Sequence, residues 1–224
     1  MNRIRRPTAL RAVALVVLGL ASQIGSGAAA SMSIDNAALT VATRTYGAQR
    51  TCTLVAVADT YVNKALATSN FGGLTTVLIN ADSTTTERAF VRFDLSTCSP
   101  TIPSDALVRT ATLQLTVSVA ALATRTYDLR RATAGWVEST VTWNSQPAVA
   151  GVTASTTVTL GTVVGSVVTW TATGDVQAYV TGASTDLGWR IGDASEGIAL
   201  GTPLTFSSRE AATGKPTLVV TYLP

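Results

Sequence analysis

The sequence predicts an all-β protein, an antiparallel sandwich or barrel with one short helix. Three observations predict it. Hydrophobic residues alternate at period two through much of the chain, clusters of Gly, Pro, Asn and Asp interrupt these runs at short intervals, and helical periodicity is nearly absent. With 224 residues, 46% of them hydrophobic and 13% charged, the chain suffices for one substantial core.

The first thirty residues read as a signal peptide. "MNRIRRPTALR" is basic, "AVALVVLGLA" (12–21) is apolar, and "SQIGSGAAA" supplies small residues for cleavage after Ala30. The apolar run is shorter than the roughly 20 residues a membrane span requires, so a secreted, extracellular protein with no span after cleavage is expected. Arg5 and Arg6 offer twin-arginine export as an alternative, although Pro7 and Thr8 fit that motif poorly. Residues 31–51 are then a linker or an edge strand, and 52–224 the folded domain. The precursor charge of +3 misleads: residues 1–30 hold four of its 16 basic residues (Arg3, Arg5, Arg6, Arg11) and no acid. What remains has 12 basic and 13 acidic residues, which gives no support for nucleic-acid binding.

In "RAFVRFDL" (88–95), Ala89, Val91, Phe93 and Leu95 share one face, and Arg88, Phe90, Arg92 and Asp94 the other. In "LQLTVSV" (113–119), Leu113, Leu115, Val117 and Val119 are expected in the core. "LGWRI" (187–191) and "TLVVTY" (217–222) repeat the pattern through Leu187, Trp189 and Ile191, and through Leu218, Val220 and Tyr222. Turns are expected at "NFGG" (70–73), "NADS" (80–83), "IPSD" (102–105), "NSQP" (144–147) and "ATGKP" (212–216). The β-branched segment 148–170 reads as strands with glycine-containing connections. "TGDVQAYVTG" (173–182) is the helix, capped by Thr173, ended by Gly182, with Val176, Tyr179 and Val180 on one face.

Cys52 and Cys98 are the only cysteines, and in an exported chain a disulfide is the default reading, with two buried thiols as the alternative. There is no histidine. That excludes Ser-His-Asp and Cys-His nucleophiles and the usual His-bearing zinc sites.

Six motifs in order, "ADTYVNKALATSNFGG" (58–73), "RAFVRFDLS" (88–96), "ALVRTATLQLTV" (106–117), "GWVESTVTWNSQP" (135–147), "TATGDVQAYVTG" (171–182) and "FSSREAATGKPTLVVTY" (206–222), resemble the DNRLRE domain, also classed as carbohydrate-binding module family 96. The resemblance covers roughly residues 52–222. It implies a jelly-roll-like antiparallel β-sandwich that binds polysaccharide and has no chemistry of its own; some relatives are described as binding acidic glycans such as alginate. The alternative is a cell-surface or matrix structural module acting through protein contacts.

Glu138, between Trp136 and Trp143, invites a catalytic reading, but neither Asp94, Asp128 nor Glu210 forms a recognisable carboxylate pair with it by spacing. A carboxylate accepting bonds from a turn or an arginine fits better. Trp143, in phase with Val141, and Trp189 are expected in the core; Tyr61 and Trp136, nearer loop ends, are candidates for stacking on a sugar ring. The other ligand-binding candidates are Arg88, Arg92 and Arg130, joined by Lys64 near the "SNFGG" loop and by Arg190. Such a cluster takes uronic carboxylates in bidentate fashion, or else forms a ladder neutralised by Asp94 and Asp128. No cofactor is expected beyond a structural calcium, for which Asp59, Asn80, Asp82, Asp193 and Glu196 offer oxygens near strand ends without a motif that would name the ligands.

Overall fold

The computed structural model describes residues 45–224, so the signal-peptide assignment and most of the expected linker lie outside the described residues. The described chain is a sandwich of two antiparallel sheets with one α-helix. Eleven strands are present among the described residues: β1 (Arg50–Val55), β2 (Ala58–Asn63), β3 (Thr76–Ile79), β4 (Glu87–Arg92), β5 (Leu107–Val119), β6 (Arg125–Ala132), β7 (Val149–Val158), β8 (Val167–Thr171), β9 (Trp189–Asp193), β10 (Leu204–Ser207) and β11 (Thr217–Leu223). The six-stranded sheet runs β1-β11-β5-β10-β3, with β8 also paired to β5; the five-stranded sheet runs β2-β4-β9-β6-β7. Residues 50 and 51 thus belong to an edge strand, which Cys52 ties by a disulfide to Cys98.

Alternation decides what each sheet buries. Ala89, Val91, Phe93, Trp189, Ile191, Leu218, Val220 and Tyr222 all turn into the core between the sheets. Leu113, Leu115 and Val117 join them, but Val119, the last residue of β5, is half-exposed, because the strand runs past the core at its end. A β-bulge in β5 explains a second departure from strict alternation. Thr221 pairs with Thr110 and Tyr222 with Val108, leaving Arg109 over, so Val108 and Ala111 both reach the core although they are three residues apart. The buried tryptophans meet their polar obligations: Trp170 Nε1 donates to the Tyr127 carbonyl (2.9 Å) and Trp189 Nε1 to Asp175 Oδ2 (2.8 Å).

The helix α1 (Thr173–Val180) closes one end of the sandwich, with Val176 and Tyr179 buried and Val180 packed against the core. Thr173 is not its cap. The N-cap is Ala172, and the Thr173 hydroxyl accepts the Ala111 N–H of β5 instead (3.0 Å), while Gln177 takes the Val108 N–H (2.8 Å). The helix is docked by side chains that satisfy a strand's backbone. Gly182 follows in the left-handed region at φ +73°. Residues 148–170 form β7, β8 and a connection turning at Gly161 and Gly165.

The largest departure concerns residues 133–147. Trp143 does not alternate with Val141 on a strand, because the segment turns at Val137–Thr140 and again in a short 3₁₀ helix at Trp143–Ser145. Period-two phasing holds only for extended backbone. This loop folds across the outer face of the five-stranded sheet and builds a second apolar cluster there, of Ala58, Val62, Phe90, Ala132, Trp136 and Val141, with Trp143 and Leu187 at its margin. Phe90, placed by alternation among the outward residues, is therefore fully buried. Among the described residues, no such apolar cluster covers the outer face of the six-stranded sheet, which carries cross-strand rows such as Thr53, Val219, Thr112 and Thr171.

Gly188, just before β9, sits at φ +76°, and a Cβ there would stand 2.3 Å from the Val91 carbonyl oxygen. Gly188→Ala is expected to lower stability by more than about 1 kcal/mol in urea unfolding, whereas Gly73→Ala, which meets nothing within 4 Å, stays near wild type. Equal midpoints for the two variants would contradict this packing.

Candidate functional site

On the outer face of the five-stranded sheet, register brings four arginines together. Arg88 and Arg92 lie four residues apart on β4, flanking Phe90; Phe90 pairs with Arg190 on β9, and Arg190 pairs with Arg130 on β6. Arg130 thus joins the cluster one strand further away than a direct β4 neighbour, with Arg190 between. Diagonal neighbours on one sheet face lie roughly 7–8 Å apart, within reach of guanidinium groups on long side chains.

The four differ in their partners. Arg88 is held on three sides: Glu196 takes it in bidentate fashion (Nε to Oε1 2.9 Å, Nη2 to Oε2 2.5 Å), Gln146 accepts from Nη1 (2.9 Å), and the Trp143 ring lies 4.5 Å below. Arg130 pairs with Asp128 of its own strand at 3.1 Å, and Ser155 donates to the other Asp128 oxygen. Arg92 lies over the Trp136 ring at 5.6 Å. Among the described residues, neither Arg92 nor Arg190 makes an ion pair with a carboxylate. Arg190 is the least satisfied: its Nε is buried with no hydrogen-bond acceptor. Burial, then the charge of neighbouring Arg88, pulls its guanidinium down to about 10, so it still carries its charge at neutral pH. The floor beside it is Gly192, where a Cβ would stand 2.9 Å from Glu196 Oε1 and 3.8 Å from Arg190 Nε. Glycine there leaves room for the Glu196 carboxylate that holds Arg88.

The neutralising ladder weighed from the sequence forms only in part. Asp128 does pair with Arg130, but Asp94 caps the 3₁₀ turn at Leu95–Thr97 through the Ser96 N–H (2.9 Å), and Arg88 is taken by Glu196. Trp136 stands on the arginine side of the sheet yet is 6% exposed, with Nε1 donating to the Leu187 carbonyl (2.8 Å) and Phe90 against its ring. With Val137, Thr140, Val141 and Ser145 it lines an open cleft of about 370 Å³. Tyr61 pairs with Ala89, so it projects from the opposite face of β2 to the arginines, where it stacks on Phe71 at 4.4 Å. Alternation separates it from Arg88 and Arg92. Lys64 follows β2 and donates to the Ser83 carbonyl (2.8 Å). Trp143, expected in the core, and Gln146, expected only in a turn, instead orient Arg88, a role that depends on how the loop folds.

Glu138 is a fastening. Its Oε1 accepts the Asp59 N–H (2.8 Å), and its two oxygens take Arg209 Nε (2.7 Å) and Nη2 (2.9 Å). Loop 133–147 is thereby pinned to β2 and to the segment after β10. Asn70 adds two bonds to the carbonyls of Glu138 (2.7 Å) and Val141 (2.8 Å). Of the oxygens considered for calcium, Asp82 caps its own turn, Asn80 Oδ1 accepts the Asp82 N–H, Asp193 pairs with Arg125 and Glu196 with Arg88. Asp59 differs: burial pushes its carboxyl up to about 7, and it clusters with Glu138 and Glu210.

The described chain is a β-sandwich with four arginines and two indole rings gathered on one sheet face. Residues 50–222 match the model of carbohydrate-binding module family 96, and the chain belongs to that family. Membership carries a carbohydrate partner, and the family is one of non-catalytic modules. A search of curated proteins gives no match. No helix of the described residues is long and apolar enough to cross a membrane.

Glu138→Ala strips the Asp59 N–H of its acceptor and leaves Arg209 with Glu210 alone, and is expected to cost about 2 kcal/mol in urea unfolding, since hydrogen bonds to charged groups contribute about 1.5–3 kcal/mol. An unchanged midpoint would show that the loop is held by its apolar contacts alone.

Proposed function

We propose that the mature chain is a secreted, extracellular module that binds an acidic polysaccharide, without catalysis, on the arginine-bearing face of its five-stranded sheet. The observation that carries this reading is Arg190. A guanidinium set in a sheet face, flanked by Arg88 and Arg130 and lacking, among the described residues, both an ion pair and an acceptor for its Nε, has an unmet requirement for a planar anion. The carboxylate of a uronic acid meets it.

Family membership supports the carbohydrate, and the arginines support the acidic kind. Arg88, held rigid by Glu196, Gln146 and Trp143, adds a second donor at little cost in ordering, because its side chain is already fixed. Arg92 and the cleft beside Trp136 extend the same face toward loop 133–147. A repeating polyanion can lie across strands β4, β9 and β6 and meet a guanidinium on each.

In affinity electrophoresis, alginate in the gel is expected to retard the mature protein and dextran is not. Arg190→Ala should weaken retention about tenfold, equivalent to about 1.4 kcal/mol, with an unchanged circular dichroism spectrum. Raising salt from roughly 0.05 to 0.5 M should weaken it further, since exposed charges are screened. Equal retention of wild type and Arg190→Ala, or equal retention by both polysaccharides, would refute the assignment.

A further inference from the structure

Where β2, loop 133–147 and the segment after β10 meet, three carboxylates converge. Asp59 of β2, Glu138 of the loop and Glu210 of the segment after β10 each present one oxygen, and these atoms lie within 4.8 Å of one another. One cation stands with them, Arg209, which pairs with Glu138 and with Glu210 Oε1 (2.9 Å). A single guanidinium against three carboxylates leaves negative charge uncompensated.

Asp59 marks where compensation is missing. It is 1% exposed; its Oδ2 accepts the Arg209 backbone N–H (2.7 Å), but its Oδ1 is buried with no partner among the described residues. A buried carboxylate oxygen with no donor is costly unless a proton or a cation meets it. Glu138 and Glu210 keep side-chain exposures of 18% and 23%, so an ion can reach the cluster from solvent. Every donor is a hard oxygen, and the chain has no histidine and no free cysteine, which excludes a zinc-type or copper-type ligand set. The three carboxylates come from a strand and two irregular segments, a donor set that suits the variable coordination of calcium better than the strict octahedron of magnesium.

We propose that Asp59, Glu138 and Glu210 form a calcium site that ties β2, loop 133–147 and the segment after β10 together. Arg209 is the resident countercharge of the ion-free state and competes with calcium for the same oxygens. This sets the cluster apart from a plain salt bridge: removing the arginine should strengthen ion binding. The site does not depend on the glycan assignment, and the two fail separately.

The test uses the mature chain stripped with EDTA and titrated with calcium chloride, with sodium chloride matching ionic strength. Thermal unfolding should rise with calcium and less with magnesium, and calorimetry should count one ion per chain. Glu210→Gln, at a half-open position, should fold and lose most of the rise; Asp59→Asn should lose it as well. Arg209→Gln should bind calcium severalfold more tightly than wild type. No calcium-dependent shift in folded wild type, a full shift retained in Glu210→Gln, or weaker calcium binding by Arg209→Gln would overturn the proposal.

Discussion

The structure depends on how loop 133–147 is held to the outer face of the five-stranded sheet. Alternation alone would leave Phe90, Val62 and Ala58 facing solvent; the loop covers them with Trp136 and Val141 and turns an exposed apolar patch into a second core. Glu138 fixes the loop's height through the Asp59 N–H and Arg209. Once it is docked there, Trp143 and Gln146 arrive beside Arg88 and hold it, while Arg190 Nε, one strand further, has no acceptor among the described residues. A covered half and an open half of the same face follow from one fastening.

Much of the sandwich was legible because a strand's side chains alternate with a fixed period. Ala89, Val91, Trp189, Ile191, Leu218 and Val220 went where the pattern sent them, and so did the outward Arg88 and Arg92. Misplacements occurred where extended backbone ends. Val119 overruns the core, and Trp143 sits in a turn where phase has no meaning. Phe90 has the outward phase but gains a cover from a loop about fifty residues downstream, which no local pattern encodes. Thr173 had the right chemistry for a cap, yet the Ala111 N–H of β5 claims its hydroxyl, a long-range demand that local propensity does not see.

The candidate site was half legible for the same reason. That Arg88 and Arg92 share a face follows from their spacing, but that Arg190 lies between Phe90 and Arg130 requires strand order, which only the fold supplies. Tyr61 shows the converse: nearness to Arg88 along a neighbouring strand counts for nothing when alternation points the ring to the other side. The two outer faces of the sandwich differ in chemistry as a result. One gathers four guanidinium groups and indole rings, the other rows of threonine and valine.

The most direct test of the account follows where a ligand lands. In a titration of the labelled protein with a uronate oligosaccharide, the account predicts perturbed Nε–H resonances for Arg190, Arg88 and Arg130 and a shifted Trp143 indole, with Thr53, Thr112 and Thr171 silent. Perturbations confined to the threonine face, with the arginine resonances unmoved, would contradict it.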